Sequence, residues 1–298
     1  MRRPFTSPFA GAADHRAASR LAVLAQYVYP KQLLTVLAGR VANARAGSFT
    51  TWVIRKFVDR YGVNMAEAKE PDIAAYETFN AFFTRALKPG ARPQDRADLV
   101  CPVDGRISQF GAIDTHHIVQ AKDHGYTTTA LLGGDAATAE PFMHGSFATL
   151  YLSPRDYHRI HMPCDGRLTR MIHVPGDLFS VNPTTAEGVP ELFARNERVV
   201  CLFEGPQGPW ALVLVGATIV GSMATVWHGV VNPPRPGKVR EWRYDDQRVE
   251  LKQGEEMGRF LLGSTVVLVF PKSNLSFNDD WHEARVIRMG EAMASYSG

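Results

Sequence analysis

The sequence predicts an α+β fold, with amphipathic helices at the N-terminal side followed by a largely antiparallel, β-rich core. Three observations lead there. Apolar residues recur at helical spacing from Arg20 to Leu87. After Pro89 the chain breaks into short β-rich runs separated by Gly and Pro. The 298 residues are 45% hydrophobic and 21% charged, which is ordinary for a globular chain with a sizeable core.

In order along the chain, residues 1–19 read as a flexible tail. From Arg20 to Tyr61, Leu34, Leu37 and Val41 follow i, i+3, i+7, and Val53, Phe57 and Tyr61 follow i, i+4, i+8. Arg40, Arg45, Arg55, Lys56 and Arg60 interleave with them. Such basic amphipathic helices can lie in a bilayer interface, or can pack on the body with a solvated charged face. A third helix is expected near Thr78–Leu87, with Phe79, Phe82, Phe83 and Leu87 on one face. The organisation is therefore a tail at 1–19, a helical, membrane-associating region at 20–88, and a β-rich domain at 89–298. Strands are expected at Val100–Phe110, His117–Ala121, Phe147–Leu152, Gly166–Val174, Val199–Glu204, Trp210–Val215, Ile219–Trp227, Thr265–Phe270 and Ala284–Met289. No internal repeat or low-complexity tract interrupts this pattern.

Charge is unevenly spread. Residues 1–60 hold ten Lys/Arg against two Asp/Glu, whereas the remainder is slightly acidic. A basic arm of this kind suits an anionic partner, nucleic acid or lipid headgroups; near an anionic leaflet each basic side chain contributes about 1 kcal/mol. Cys101, Cys164 and Cys201 are scattered and form neither a disulfide framework nor a zinc-finger spacing, consistent with a reducing cytoplasm. No secretory signal is expected, since no uninterrupted apolar run precedes Arg16. Trp210 to Trp227 carries no charge over 18 residues, but Gly216 and Gly221 interrupt it. Two buried strands explain it better than a membrane span.

Three segments can carry chemistry. In Leu261-Leu262-Gly263-Ser264-Thr265 a Gly-Ser bond sits just before an apolar strand. Gly leaves the preceding carbonyl open to the Ser hydroxyl, as an N→O acyl shift requires; a plain turn is the structural alternative. In Ser153–Cys164, Ser153 and Pro154 can begin a short helix that Pro163 ends, putting His158 and His161 at i, i+3 on one face. Two adjacent imidazoles suit acid/base work, a metal pair or a structural role. In Pro102-Val103-Asp104-Gly105, Asp-Gly is a turn signal, and Asp104 can also supply a carboxylate that orients an imidazole.

Together these segments resemble proenzymes of the phosphatidylserine decarboxylase family, bacterial and mitochondrial type. The likeness runs from about Tyr27 to about Gly290. Its sharpest elements are the LGST motif Leu262-Gly263-Ser264-Thr265, Ser153–Cys164 and Pro102–Gly105. Gly176–Asn182, Phe193–Arg198 and Val215–Ser222 add to it. The departures lie in residues 1–20 and beyond Gly290.

The resemblance implies that Asp104, His161 and Ser264 form a processing triad. His161 removes the Ser264 hydroxyl proton while Asp104 orients His161. Ser264 attacks the Gly263 carbonyl to give an ester. β-Elimination makes Ser264 dehydroalanine, and tautomerisation followed by attack of water with loss of ammonia leaves a pyruvoyl group. The products are chain 1–263 and a 35-residue chain, 264–298. The pyruvoyl group is the cofactor and acts as an electron sink, turning phosphatidylserine into phosphatidylethanolamine and carbon dioxide. His158 matches the histidine linked to decarboxylation itself. No metal is implied. The expected partners are phosphatidylserine in an anionic membrane, the two chains of the proenzyme and a second copy as a homodimer, with no nucleic acid. The expected location is peripheral, on the cytoplasmic face of the cell membrane, with no transmembrane helix. The rival readings are an uncleaved serine hydrolase, which lacks a G-x-S-x-G elbow, a pyruvoyl decarboxylase of a soluble amino acid, and a binding module built on the basic arm.

Overall fold

The computed structural model describes residues 24, 26–27, 30–121, 124–218, 222–233, 235, 237–262 and 264–297, with Ser264 described by its backbone alone. The expected tail at 1–19 and Gly263 of the expected cleavage pair lie outside the described residues.

The helical start forms as two helices, Lys31–Asn43 and Ser48–Tyr61. The second stops at Gly62, whose φ of 66° is the left-handed conformation that glycine adopts freely at a helix end. The two helices treat their apolar residues differently. Lys31–Asn43 buries Thr35 and Ala42 and leaves Leu33, Leu34, Val36, Leu37 and Val41 exposed, so the stripe read from its periodicity faces away from the body. Ser48–Tyr61 buries Ile54 and packs Phe57 and Val58 on the core, while Phe49 and Trp52 stay exposed. The short helix Phe79–Phe83 is capped by Thr78, whose hydroxyl accepts from Ala81 N at 3.0 Å. Its Phe79, Phe82 and Phe83 rings lie 5.1, 5.9 and 6.0 Å from Phe57.

The body is a nine-stranded antiparallel sheet. Along its main path the order is Arg240–Arg243, Gly166–Val174, Arg198–Gly205, Gly208–Val215, Ser264–Phe270, Ser146–Leu152, Gly105–Ala112 and Val286–Ile287, with Glu250–Leu251 also paired to Gly166–Val174. Ser264–Phe270 is central, and a continuous apolar run is what a strand buried on both faces needs. Val267 and Val269 join the core beneath the N-terminal helices; Val266, Leu268 and Phe270 join a second core on the opposite face. A four-stranded sheet lies alongside, in the order Gly229–Val230, Ser222–Thr225, Glu256–Leu261 and Arg159–His161.

Several expected elements change. Val100–Phe110 divides into Leu99–Val100 and Gly105–Ala112, because Pro102 has no N–H to give a ladder. Gly105 is required where the strand resumes, since a Cβ there would sit 2.3 Å from Tyr151 O. The Trp210–Trp227 region is two strands, Gly208–Val215 and Ser222–Thr225. Among the described residues no helix is long and apolar enough to cross a membrane.

The largest correction concerns Ser153–Cys164. The expected helical turn is a tight turn followed by the strand Arg159–His161. The Asp156 carboxylate accepts from both Ser153 N (2.7 Å) and Ser153 Oγ (2.8 Å), closing the chain on itself after one turn. The chain then pairs in extended form with Glu256–Leu261. His158 and Ile160 are buried while Arg159 and His161 are only partly so, the alternation of a strand. His158 and His161 therefore point to opposite faces rather than sharing a helical one.

Candidate active site

Between Leu261 and Ser264 the chain crosses from the smaller sheet to the larger. Leu261 ends the Glu256–Leu261 strand opposite Ser222, and Ser264 opens the central strand opposite Leu152. Between them Leu262 adopts φ +94°. For a side chain branched like leucine that conformation costs on the order of 1–3 kcal/mol. The buried isobutyl group, packed in the helix-side core, offsets the strain.

His158 stands at this end of the strand. Its carbonyl accepts from Phe260 N at 3.0 Å, two residues before Leu262. Its ring is fully buried and lies 4.1 Å from the Phe83 ring. Nδ1 is 2.7 Å from Asp156 O; a carbonyl can only accept, so Nδ1 carries the proton and Nε2 keeps its lone pair. Nε2 is buried and has no hydrogen-bond partner among the described residues. Burial pushes the imidazole pKa down to about 3, so the ring is neutral. The result is an imidazole nitrogen whose lone pair is unshared in a fully buried site.

His161 sits at the far end of the same short strand, opposite Glu256. Its Nδ1–H donates to Gly254 O at 2.8 Å, and its Nε2 accepts from the Tyr157 hydroxyl at 3.1 Å. Burial lowers its pKa and raises that of Tyr157 to about 12, so a neutral imidazole faces a protonated phenol. Both of its nitrogens are thus engaged.

Asp104 lies in the turn before Gly105–Ala112. Its carboxylate accepts from Arg92 Nε at 2.8 Å, from Arg92 Nη2, and from Met289 N at 2.9 Å. The same Arg92 Nη2 reaches Glu67 at 2.7 Å. The two carboxylates hold the Arg92 guanidinium in its charged form against the cost of burial. The hydrogen bonds of Asp104 thus run to Arg92 and Met289, and those of His161 to Tyr157 and Gly254. Asp104 and His161 are not hydrogen-bonded to each other.

Sequence reasoning missed Arg92, Tyr157, Gly254 and the backbone of Leu262. Tyr157 sits beside His158 and was open to suspicion; Arg92 and Gly254 act through partners far along the chain, and no local pattern marks them. Among the described residues, no group of three or more His, Cys, Asp or Glu side chains is placed to hold a metal ion.

A family profile described as phosphatidylserine decarboxylase matches residues 79–295, and a second, described as PSD, matches residues 21–62. The chain is 71% identical over 276 residues to a phosphatidylserine decarboxylase proenzyme of Variovorax paradoxus (strain S110), covering 93% of this chain and 98% of that one. A proenzyme of the same description from Dechloromonas aromatica (strain RCB) is also 71% identical, with the same coverage. One from Albidiferax ferrireducens (strain ATCC BAA-621 / DSM 15236 / T118) is 72% identical over 275 residues, covering 92% of this chain and 97% of its own.

Proposed function

Because the chain belongs to the phosphatidylserine decarboxylase family and carries its activity, conversion of phosphatidylserine to phosphatidylethanolamine and carbon dioxide, we propose that it matures by cutting itself between Gly263 and Ser264 and works through a pyruvoyl group made from Ser264. The observation that carries this reading is the unshared Nε2 of buried, neutral His158 at the strand end from which the chain leaves for Ser264. The strained Leu262 just upstream supports it.

In maturation the Ser264 oxygen bonds to the Gly263 carbonyl carbon, its proton passes to a base, and the peptide C–N bond breaks as the nitrogen takes a proton. Loss of the Ser264 α-proton then expels the Gly263 carboxylate, which ends the large chain. For the base we propose His161, backed by Asp104, as the resemblance implies. That role requires His161 to exchange the Tyr157 hydroxyl for Ser264 and Asp104 to loosen its hold on Arg92. A second reading is favoured by one observation: the Nε2 of His158 is not held by a hydrogen bond as that of His161 is, which makes His158 the alternative base.

In turnover the pyruvoyl carbonyl supplies the electron sink for the pair left on the α-carbon when carbon dioxide departs. We assign to His158 the delivery of the proton that the α-carbon takes up once carbon dioxide has left. Phe83 and the surrounding core exclude water from that transfer.

Attachment to the cytoplasmic face of an anionic membrane, pairing into a homodimer and the division into a helical region at 20–88 and a β-rich domain at 89–298 belong to the same proposal. Membrane attachment is supported by exposed Leu33, Leu34, Val36, Leu37, Phe49 and Trp52 on helices that also carry Arg40, Arg55 and Lys56. The test is the intact mass of the purified protein together with N-terminal analysis of any fragment. A 264–298 fragment with a blocked, pyruvoyl N-terminus is expected. A single 298-residue chain that nevertheless decarboxylates phosphatidylserine would overturn the cofactor assignment.

A further inference from the structure

We propose that Arg85 is the seat of the substrate's phosphodiester, an anion subsite beside His158; the inference deepens, and rests on, the decarboxylase reading of this site. Arg85 follows the Phe79–Phe83 helix and is only 5% exposed. Its Nη2 donates to Arg155 O at 3.3 Å, a weak bond, its guanidinium carbon lies 5.5 Å from the centre of the Phe82 ring, and its Nε is buried with no hydrogen-bond partner among the described residues. Among the described residues no carboxylate lies within ion-pair distance of it, although Arg92 close by is fully used by Asp104 and Glu67. A guanidinium taken out of water without a counter-anion is costly, and buried charges are ordinarily paired. The missing partner is an anion.

The cleft that Arg85 lines says where that anion comes from. Gly62 and Asn64, at the end of the Ser48–Tyr61 helix, form one part of it; Arg155, Asp156 and Tyr157 form another. It thus joins the C-terminal end of that helix, whose first turns carry exposed Phe49 and Trp52, to the turn that positions His158. The carboxylates bordering it are matched: Glu67 and Asp104 by Arg92, and Asp156 by Ser153 N and Oγ. Arg85 is close enough to His158 that, after burial, its charge further lowers the imidazole pKa.

Phosphatidylserine carries two anions, and the chemistry selects between them. Its carboxylate must lose its charge to the α-carbon. A cation bound there would stabilise the ground state more than the transition state. The phosphodiester keeps its charge throughout, so a fork of charge-assisted N–H donors can hold it without opposing the reaction. Such uniform binding sets KM and leaves kcat nearly alone.

The experiment has two arms, both in neutral detergent so that bulk membrane charge is absent. In the first, the uncleavable Ser264→Ala chain binds dihexanoyl phosphatidylglycerol, a phosphodiester lipid with no amine, measured by calorimetry with and without Arg85→Gln. Affinity is expected to fall about tenfold or more, and inorganic phosphate at equal concentration should not displace the lipid. In the second, cleaved Arg85→Gln enzyme should show KM for phosphatidylserine raised about tenfold, with kcat within about twofold. Unchanged affinity and KM, a fall in kcat at constant KM, or displacement by inorganic phosphate would each overturn the assignment. If Arg85→Gln does not accumulate folded, Arg85→Lys carries the test, because lysine keeps the charge but loses the fork. Weaker binding of the lipid is then expected, and unchanged binding overturns the proposal. The first arm needs no pyruvoyl group, so failure of the cofactor reading leaves the Arg85 result readable.

Discussion

Phe260 N donates to His158 O at 3.0 Å, and this backbone bond ties the histidine to the chain segment that leads into Ser264. The strand Glu256–Leu261 runs antiparallel to Arg159–His161, so moving toward Ser264 on one strand means moving toward His158 on the other. His161 lies at the opposite end, beside Gly254. Two histidines three residues apart are thereby given different surroundings: one nitrogen left free, the other pair fully bonded.

The first expectation follows from the position of Ser264. Ser264→Ala should yield one uncut chain of 298 residues with no decarboxylase activity, read by intact mass and by release of carbon dioxide from labelled phosphatidylserine. Appearance of the 264–298 fragment in that variant would refute the maturation scheme.

The two histidines should separate. His158→Ala is expected to cleave yet lose decarboxylation by about 10²- to 10⁴-fold, the usual worth of a positioned proton carrier. His161→Ala is expected to cleave slowly or not at all. Gel analysis of both variants decides the matter; an uncut His158→Ala beside a cleanly cut His161→Ala would make His158 the base in both steps.

Leu262 offers a test of strain. Leu262→Gly relieves the cost of φ +94° and should slow cleavage between about fivefold and a hundredfold, which is what 1–3 kcal/mol corresponds to. Leu262→Ala keeps the backbone penalty and should cleave faster than the glycine variant. Equal slowing in a pulse–chase of both would show that packing of the side chain matters instead.

Arg92→Met removes the cation shared by Asp104 and Glu67. The Asp104 side chain is only 9% exposed, so an unpaired buried carboxylate remains, at a cost of about 3–5 kcal/mol. Denaturant unfolding in the Ser264→Ala background, where the chain stays single, measures this. A loss below about 1 kcal/mol would mean that Asp104 is anchored by other means.

Acid should destabilise the fold through His158. Its folded pKa, near 3, lies below the ordinary 6.5, so in between the unfolded chain binds a proton that the folded one refuses. The contribution is whole above about pH 6.5 and is lost as pH falls toward 3, with a limiting slope of about 1.4 kcal/mol per pH unit. His161 acts in the same sense. Unfolding midpoints at several pH values should show a flatter acid limb in His158→Phe than in the parent.

Much of the fold was legible because its signals are local. His117–Ala121 and Gly166–Val174 form with the expected bounds, and the apolar run after Ser264 is the central strand. The strand Arg159–His161 was not legible, since three residues with two charged or polar side chains carry no period of their own. Pairing with Glu256–Leu261, almost a hundred residues on, makes it a strand. The candidate residues themselves came from motifs, but their partners did not. Arg92 meets Asp104 across a loop, Tyr157 bonds His161 across the turn that stands in place of the expected helix, and Arg85 shows its isolation only when burial is known.

The place of Ser264–Phe270 in the middle of the large sheet has a consequence for the life history of the molecule. It is hydrogen-bonded on both sides, to Ser146–Leu152 and to Gly208–Val215, and the segments after it add Val286–Ile287 to the sheet edge and Ala292–Tyr296 to a separate three-stranded sheet. A cut ahead of Ser264 therefore severs a covalent link without freeing a piece: the short fragment remains the keystone of the arch it was made in. Before the cut, folding joins parts of one chain; afterwards it would be a bimolecular encounter requiring a middle strand to be threaded between two neighbours that have nothing to hold them apart. A form cut there would retain a shape that it could no longer readily find again, and its lifetime would be set by how slowly it comes undone rather than by how favourably it re-forms.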